Sequence, residues 1–281
     1  MLNAFRRSIK LPYLKRYISS QYFRRHHSSV RMTPSEAFVE TLRINNTKNV
    51  FGIVGSAFMD PLHSFPTAGI RFISVQHEQN AAHMADGYSR VSSDCGVCIA
   101  QNGPGITNMV TGVASAYWAH SPVVMISPQA STAAEGHGTF QECDQMSLFS
   151  KITKYQVNVS NPSRMMELVN NGFKYAKLYN GPSQVNIPRD MFFNEYDFTY
   201  PQSATISTRT LADIPHMNRL IKLIRESNNP MIISGGGAVI SNATDKIAKL
   251  ASYIGAPVAT TYLHNDAFNV QNPLYLGPLG Y

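Results

Sequence analysis

Two features are scarce in this sequence of 281 residues: cysteine, which occurs three times, and long uninterrupted apolar stretches. So few cysteines exclude a small secreted fold held together by disulfides, and they indicate a reducing compartment. No run of 18 uncharged apolar residues occurs, so the sequence predicts no membrane-spanning helix. Because 43% of the residues are hydrophobic, enough apolar side chains are present for one or two packed cores, which excludes a disordered tail.

Acidic residues are absent from the start of the chain, and the first one is Glu36. Eight basic residues precede it and exceed the whole net charge of +7: Arg6, Arg7, Lys10, Lys15, Arg16, Arg24, Arg25 and Arg31. An arginine-rich, serine-bearing and acid-free start is the composition of a mitochondrial transit peptide. We therefore predict a transit peptide over residues 1–31 and a protein of the mitochondrial matrix. The alternative is a solvated basic arm or an RNA-binding tail. Because the remaining chain has no positive surplus, we expect no nucleic-acid partner.

The folded part of the chain is predicted to begin near residue 33, where Thr33-Pro34-Ser35-Glu36 has the form of a capping box. Short apolar runs then alternate with segments of helical length. The predicted buried strands are Asn49–Val54, Arg71–Gln76, Cys95–Ala100, Pro122–Ser127 and Gln184–Ile187, and the predicted helices are Glu78–Val91, Pro104–Trp118 and Ser163–Leu178. Strands that are apolar on both faces and separated by helices predict an α/β domain over residues 32–193, with a parallel sheet flanked by helices.

A second α/β unit follows in the sequence. Residues 194–210 lose periodicity and gather Tyr, Pro, Ser and Thr, so we predict a linker there. Residues 211–281 contain two predicted helices and two predicted strands: Leu211–Arg225, Ala243–Tyr253, Pro230–Ser234 and Pro257–Thr261. Two strands are fewer than a doubly wound sheet needs, so we interpret 211–281 as an incomplete central α/β domain.

Polar and glycine-rich residues follow several of the predicted strands. In an open parallel sheet, ligands bind at the carboxyl ends of the strands. The residues at these ends are Gly55-Ser56, His77-Glu78, Gln101–Gly105 and Pro128-Gln129. Glu78 begins a predicted helix, so it is either a carboxylate that stabilises the helix dipole or a functional acid. Gly103-Pro104-Gly105 is either a phosphate-binding turn or a tight turn that binds nothing.

Two further motifs have an ordinary structural interpretation. Cys95 and Cys98 have the spacing of a redox or zinc motif, but positions three apart in a strand point to opposite faces, so their sulfur atoms are expected to diverge. His83 and Asp86 lie three residues apart on a predicted helix and are either a functional pair or a surface contact. We favour the surface contact.

Several segments of the sequence resemble a known superfamily. Val50–Gly55, His77–Tyr88, Gly103–Asn108 and Ile187–Asp190 resemble the thiamine-diphosphate-dependent decarboxylase and acetolactate-synthase superfamily. A narrower resemblance, to the sulfoacetaldehyde acetyltransferase family, rests on Met32–Leu42, Gly55–Asp60, Ala116–Pro122, Tyr262–Asp266 and Gly277–Tyr281. The resemblance extends from Met32 to Tyr281 and leaves out residues 1–31, which agrees with an added targeting sequence.

The resemblance implies that the chain binds the aminopyrimidine half of thiamine diphosphate. Glu78 would be the catalytic carboxylate that hydrogen-bonds N1′ of the ring, and the shared proton would favour deprotonation of the thiazolium C2. Gly55, Pro104 and Asn108 would line the same pocket. Gln141 would approach the reacting end of the cofactor. In this interpretation Gly103-Pro104-Gly105 is a turn on the pyrimidine side of the site.

The resemblance also implies that this chain holds half of a site. In this superfamily the diphosphate and Mg²⁺ are held by a carboxy-terminal domain of another subunit, whose signature is Gly-Asp-Gly followed by Asn. That signature does not occur in this sequence, and no metal ligand is predicted in it. We therefore expect a homo-oligomer or a complete subunit as partner, and we expect the chain to be inactive alone.

The reaction implied by the narrower resemblance converts sulfoacetaldehyde, a small anionic aldehyde, and phosphate into acetyl phosphate and sulfite. Tyr117, Trp118 and His120 distinguish this branch from its relatives, and they either bind the sulfonate or pack in an interface. We favour packing. Two alternatives stay open: an acetolactate-synthase-like or oxalyl-CoA-type decarboxylase, and a non-catalytic dimerising partner of a complete subunit.

Overall fold

The computed structural model of the chain describes residues 29–92, 94–204 and 212–280. The predicted transit peptide therefore lies outside the described residues except for its last three positions. Two of these, Val30 and Arg31, belong to the first strand, β1 (Val30–Met32). Within the described ranges the folded chain thus begins slightly before the predicted residue 33.

The amino-terminal domain is a six-stranded sheet with the strand order β3-β2-β4-β5-β7-β6, and all of its pairings are parallel. Its strands are β2 (Asn49–Gly52), β3 (Arg71–Ser74), β4 (Gly96–Ile99), β5 (Val123–Gln129), β6 (Tyr155–Asn158) and β7 (Ser183–Pro188). The helices are α1 (Pro34–Ile44), α2 (Met59–His63), α3 (Glu78–Ser92), α4 (Pro104–Thr107), α5 (Val110–Trp118), α6 (Gln145–Phe149) and α7 (Met165–Tyr179). The predicted α/β class, with a parallel sheet between helices, is confirmed.

Each face of the sheet has its own apolar core. Every residue of β4, β5 and β7 is buried, as expected for inner strands of a parallel sheet. Side chains alternate between the faces, so Cys95 joins the core under α1 and α7 while Cys98 joins the core under α3 and α5. The two sulfur atoms therefore point to opposite sides of the sheet, as predicted.

The capping box at the start of α1 is present. The Thr33 Oγ1 accepts the backbone N–H of Glu36 at 3.2 Å, and the Glu36 carboxylate accepts the backbone N–H of Thr33 at 2.8 Å. These two bonds satisfy backbone donors that have no partner within the helix, and they fix the first residue of α1.

Several features differ from the predictions. The predicted helix 104–118 is divided into α4 and α5, because the N–H of Met109 bonds to the carbonyl of Ile106, three residues back instead of four. Strand β6 was not predicted, since its sequence YQVN is half polar. An additional strand, β8 (Tyr196–Phe198), pairs antiparallel with β1.

The first part of the segment predicted as a linker, residues 194–204, packs on the amino-terminal domain. It contains β8, and further along the chain Ala204 is buried and donates its N–H to Asn45 Oδ1 at 3.0 Å. Residues 205–210 of that segment lie outside the described ranges.

The second unit has three parallel strands in the order β11-β10-β9, so the prediction of two strands and two helices was one strand and one short helix too few. Its elements are α8 (Ile214–Glu226), β9 (Ile232–Ser234), α9 (Gly236–Ile240), α10 (Thr244–Ile254), β10 (Val258–Thr261) and β11 (Tyr275–Leu279). Ala251, Val258 and Phe268 form its small core, whereas α8 buries none of its residues. Across the parts of the chain that the structure describes, no helix combines the length and apolarity needed to cross a bilayer.

Candidate active site

The carboxyl edge of the large sheet gathers the predicted site residues. Gly55 follows β2, Glu78 opens α3 after β3, and Pro104 opens α4 after β4. Because parallel strands end at the same edge, residues that are far apart in sequence become neighbours there. Four of the five predicted site residues form two groups here. Glu78 and Asn108 are the first group, Gly55 and Gln141 are the second, and the 103–105 turn lies between them.

Glu78 and Asn108 form the first group. Asn108 Nδ2 donates a hydrogen bond to Glu78 Oε2 at 2.9 Å, and Glu78 is partly buried while Asn108 is exposed. Opposite them, a Cβ placed on Gly105 would approach Glu78 Oε1 at 3.3 Å, so glycine keeps the approach to this oxygen open. Oε2 of Glu78 is thus held by Asn108, and Oε1 lies beside Gly105, which has no side chain. Glu78 lies in the first turn of α3, as the helix-dipole interpretation requires, and its role as a functional acid stays a prediction.

Gln101 connects the second group. Its Oε1 accepts the N–H of Ala57 at 3.1 Å, and its Nε2 donates to Gln141 Oε1 at 3.0 Å. A Cβ on Gly55 would lie 2.3 Å from Gln101 Oε1, so only glycine fits beside this amide. Gln101 was not among the predicted site residues. Its position as the first polar residue after β4 was the available signal.

Gly103 shapes the turn before Pro104. Its φ of +67° lies in the region that favours glycine, and a Cβ there would come within 2.3 Å of the Gln141 carbonyl oxygen. Its N–H donates to Gln145 Oε1 at 2.7 Å. This N–H points into the protein and already has an acceptor, so it is not available to bind a phosphate. The tight turn is the interpretation that fits.

Gln141 lies on a loop that is stabilised by hydrogen bonds between its own residues. Its φ is +61°, and its carbonyl oxygen accepts Asn102 Nδ2 at 3.1 Å. The neighbouring carboxylate of Glu142 accepts the N–H of Gly136 and, at 3.0 Å, the N–H of Thr139. The Gly136 bond first, and then the Thr139 bond, lower the pKa of Glu142 below its usual value. The loop therefore holds Gln141 against Gln101 and the 103–105 turn.

Large apolar side chains surround this edge without cover. Val54, Met59 and Phe140 are 52%, 57% and 81% exposed. Uncovered apolar residues around a polar site are typical of a surface that another polypeptide covers. The site is therefore an open face in this chain.

The remaining candidates lie elsewhere or have other partners. Asp86 forms a bidentate ion pair with Arg90, at 2.8 and 2.7 Å, so the predicted contact between Asp86 and His83 is replaced by this pair. Burial raises the pKa of Cys95 and of Cys98 to about 12, which suppresses their thiolate forms. Among the described residues, no three His, Cys, Asp or Glu side chains are grouped as a metal site would require.

Tyr117, Trp118 and His120 lie at the amino edge of the sheet, since α5 ends there and β5 begins at Val123. This edge is opposite to the one that carries Glu78. The rings of Tyr117 and Trp118 are 5.7 Å apart, and Trp118 and His120 line a cleft of about 740 Å³ against the second unit. This position separates the three residues from the Glu78 site. Trp118 is 72% exposed, so packing in an interface stays a prediction.

Two sequence families match the chain. "Thiamine pyrophosphate enzyme, N-terminal TPP binding domain" matches residues 32–148, and "Thiamine pyrophosphate enzyme, central domain" matches residues 217–281. The chain belongs to the thiamine pyrophosphate enzyme family. The first match includes Gly55, Glu78, Pro104, Asn108 and Gln141, so all predicted site residues lie in the cofactor-binding domain of this family.

Individual proteins of this family differ in how similar they are to the chain. The chain is 50% identical over 251 residues to "Sulfoacetaldehyde acetyltransferase" of Alcaligenes xylosoxydans xylosoxydans, and 49% identical over 250 residues to the protein of that name from Castellaniella defragrans. It is 35% identical over 256 residues to "Probable acetolactate synthase large subunit" of Methanocaldococcus jannaschii. These matches cover 89% of the chain and 42% to 43% of the relatives. The chain thus spans less than half of each relative's length.

The geometry of the edge fits the pyrimidine ring of thiamine diphosphate. A carboxylate with one oxygen held by Asn108 can share a proton with a ring nitrogen through the other oxygen. Gly105 keeps a side chain away from Glu78 Oε1, which suits close approach by a flat ring.

Proposed function

We propose that this chain supplies the pyrimidine half of a thiamine diphosphate site in an enzyme that converts sulfoacetaldehyde and phosphate into acetyl phosphate and sulfite. The observation that carries the proposal is the Glu78 carboxylate, which Asn108 holds at 2.9 Å beside Gly105 at the carboxyl edge of the sheet. The choice of substrate rests on the names of relatives that are 49% and 50% identical to this chain.

The proposed role of Glu78 is to hold a proton at the pyrimidine nitrogen. The bond from Asn108 fixes Oε2, so that Oε1 is presented to the ring in one orientation. Gly105 leaves space for the ring beside that oxygen, and Pro104 begins the short helix that ends next to Asn108. When bound, the cofactor supplies a thiazolium carbon that adds to the aldehyde.

Gln141 and Gln101 would orient the reacting end. The Gln101 amide has its carbonyl oxygen on the N–H of Ala57 and its nitrogen on Gln141, which settles which way each group points. The Gln141 side-chain nitrogen is thereby turned away from Gln101. We infer that it donates to a substrate oxygen. The overall change is redox-neutral. The carbon–sulfur bond breaks and releases sulfite, the CH₂ carbon takes up a proton and becomes the methyl group, and the aldehyde carbon loses its hydrogen as a proton and becomes the acetyl carbonyl carbon that is transferred to phosphate.

The diphosphate and Mg²⁺ would be held by residues outside these 281. The open apolar edge around Glu78 is where we propose that this second polypeptide region docks, from a further copy or from a complete subunit. The chain alone is then expected to release no sulfite.

A complementation assay tests this function. The chain is mixed with a variant of the Alcaligenes relative in which the residue that aligns with Glu78 is glutamine. We expect phosphate-dependent sulfite release from the mixture and none from either protein alone. Turnover by the chain alone, or no recovery despite measured co-assembly, would contradict the proposal.

The same mixture separates the alternatives. Formation of acetolactate from pyruvate without sulfite release would favour the acetolactate-synthase-like alternative, which the 35% identity to the Methanocaldococcus protein keeps open. Co-assembly with unmodified relative that changes its rate, but no recovery of the glutamine variant, would favour a non-catalytic dimerising partner. The exposed edge residues Val54, Met59 and Phe140 suit either assembly.

We also propose that residues 1–31 direct the chain to the mitochondrial matrix. This proposal rests on the eight basic residues and the absence of acidic residues in that segment. Uptake of a fluorescent protein fused to residues 1–31 by isolated mitochondria, lost when the arginines are replaced by glutamine, is the expected result.

A further inference from the structure

We propose that Gln145 is a positioning residue that sets the 103–105 turn, and through it the Asn108 and Glu78 pair. The link between Gln145 and cofactor chemistry rests on the proposed function, whereas the hydrogen bonds of Gln145 do not depend on it. Gln145 is 1% exposed and opens α6, where its side chain contacts residues of β5 and β7. It was not predicted as a site residue.

The amide of Gln145 bridges the turn and the sheet. Its Oε1 accepts the N–H of Gly103 at 2.7 Å, and its Nε2 donates to the carbonyl oxygen of Pro128 at 2.9 Å. A backbone N–H can only donate and a carbonyl can only accept, so these two partners fix the orientation of the amide. Gly103 is thereby held at a set distance from the carboxyl end of β5.

A network of buried amides holds Gln145 in turn. Gln145 Nε2 also donates to Asn186 Oδ1 at 3.0 Å, and Asn186 Nδ2 donates to Asn158 Oδ1 at 3.0 Å. Gln184 Nε2 donates to the carbonyl oxygen of Gln145 at 3.2 Å. Side chains from β6 and β7 thus brace both the amide and the backbone of Gln145. Buried networks that are satisfied in this way are rigid and favour one arrangement.

The 103–105 turn connects the position of Gly103 to the Glu78 carboxylate. Gly103 is the residue before α4, and Asn108 caps the end of that helix only one turn later. Asn108 in turn donates to Glu78 Oε2. On the other side, Asn102 Nδ2 bonds to the Gln141 carbonyl oxygen at 3.1 Å. A shift of Gly103 would therefore move both Asn108 and Gln141.

An apolar side chain at position 145 would fill the same space at less desolvation cost. The buried amide therefore has a specific task, which is to satisfy the inward N–H of Gly103. Without it, that N–H would be buried and unsatisfied, and the turn would have to rotate to reach another acceptor.

The test compares Gln145→Met with the matched control Gln156→Met by NMR on the full chain. Gln156 belongs to the same network, where it donates to the Met146 carbonyl at 2.7 Å, but it does not touch Gly103. Gln145→Met is expected to speed hydrogen exchange of the Gly103 amide by about tenfold or more. It is also expected to shift the side-chain amide signals of Asn108 and Gln141. Gln156→Met is expected to lower stability and leave these three signals in place.

Equal effects of the two variants on the Asn108 and Gln141 signals, or no effect of Gln145→Met on them, would overturn the proposal. If Gln145→Met does not fold, Gln145→Asn serves instead, because an amide shorter by one methylene cannot reach Gly103 and Pro128 together. These measurements use no thiamine diphosphate. A failure of cofactor binding would therefore count against the proposed function and leave this result standing.

Discussion

The substitution Gly103→Ala should destabilise the amino-terminal domain by much more than a change at an ordinary turn glycine. The backbone of Gly103, with φ +67° and ψ −112°, lies in a region that costs an L-residue about 1–3 kcal/mol. The added Cβ would lie 2.3 Å from the Gln141 carbonyl oxygen, and displacing that backbone costs about 1–3 kcal/mol, as overpacking does. Loss of the bond from Asn102 to the same carbonyl removes about 1 kcal/mol more. The sum is about 3–7 kcal/mol of unfolding free energy.

Gly138→Ala is the matched control for this experiment. Gly138 has a φ of +66°, and nothing lies within 4 Å of a Cβ placed there, so only the backbone term of about 1–2 kcal/mol applies. Urea unfolding followed by circular dichroism measures both variants. Equal losses in the two variants would refute the argument, because the contact with the Gln141 carbonyl would then contribute nothing.

Three further predictions concern other parts of the domain. Thr33→Ala removes the side-chain half of the capping box and should cost about 1 kcal/mol in urea unfolding, and an unchanged midpoint would contradict the cap. At pH 8 an alkylating reagent should modify Cys143 alone in the native chain and all three cysteines in urea, because burial raises the pKa of Cys95 and Cys98 to about 12; modification of either buried thiol in the native chain would contradict this. The pKa of Glu142 is lowered in the folded chain, so its stabilising bonds are present above the ordinary carboxyl value of about 4.3 and are lost as the pH falls through the lowered value. Exchange of the Gly136 and Thr139 amides, corrected for intrinsic rate, should therefore rise in that acidic range and stay flat above it, and a rise at higher pH would contradict the assignment.

The parallel sheet could be predicted because its inner strands are short apolar runs. In β4 and β5 both faces are buried, and the sequence shows this directly as Gly96–Ile99 and Val123–Gln129. Strand β6 could not be found in this way, because Gln156 and Asn158 use their amides inside the buried network. A half-polar strand looks like a loop to a criterion based on apolar runs.

The position of Glu78 at the carboxyl edge followed from the strand order, but its partner did not. Nothing in the spacing of Glu78 and Asn108 indicates a hydrogen bond across 30 positions, and only the resemblance suggested that both line one pocket. Gln101 and Gln145 were missed for a related reason. Their roles depend on backbone N–H groups of Ala57 and Gly103, which the side-chain sequence does not display.

The central claim is that Glu78 supplies the acid that acts on the cofactor, and hydrogen exchange at the thiazolium C2 of thiamine diphosphate tests it most directly. The measurement uses the mixture of this chain with the glutamine variant of the Alcaligenes relative. We expect Glu78→Gln to slow the restored exchange by about 10²–10⁴-fold, the usual contribution of a general acid or base. The control Glu167→Gln changes a surface carboxylate paired with Arg164 and should leave the rate unchanged. Exchange that stays equally fast with Glu78→Gln would contradict the account.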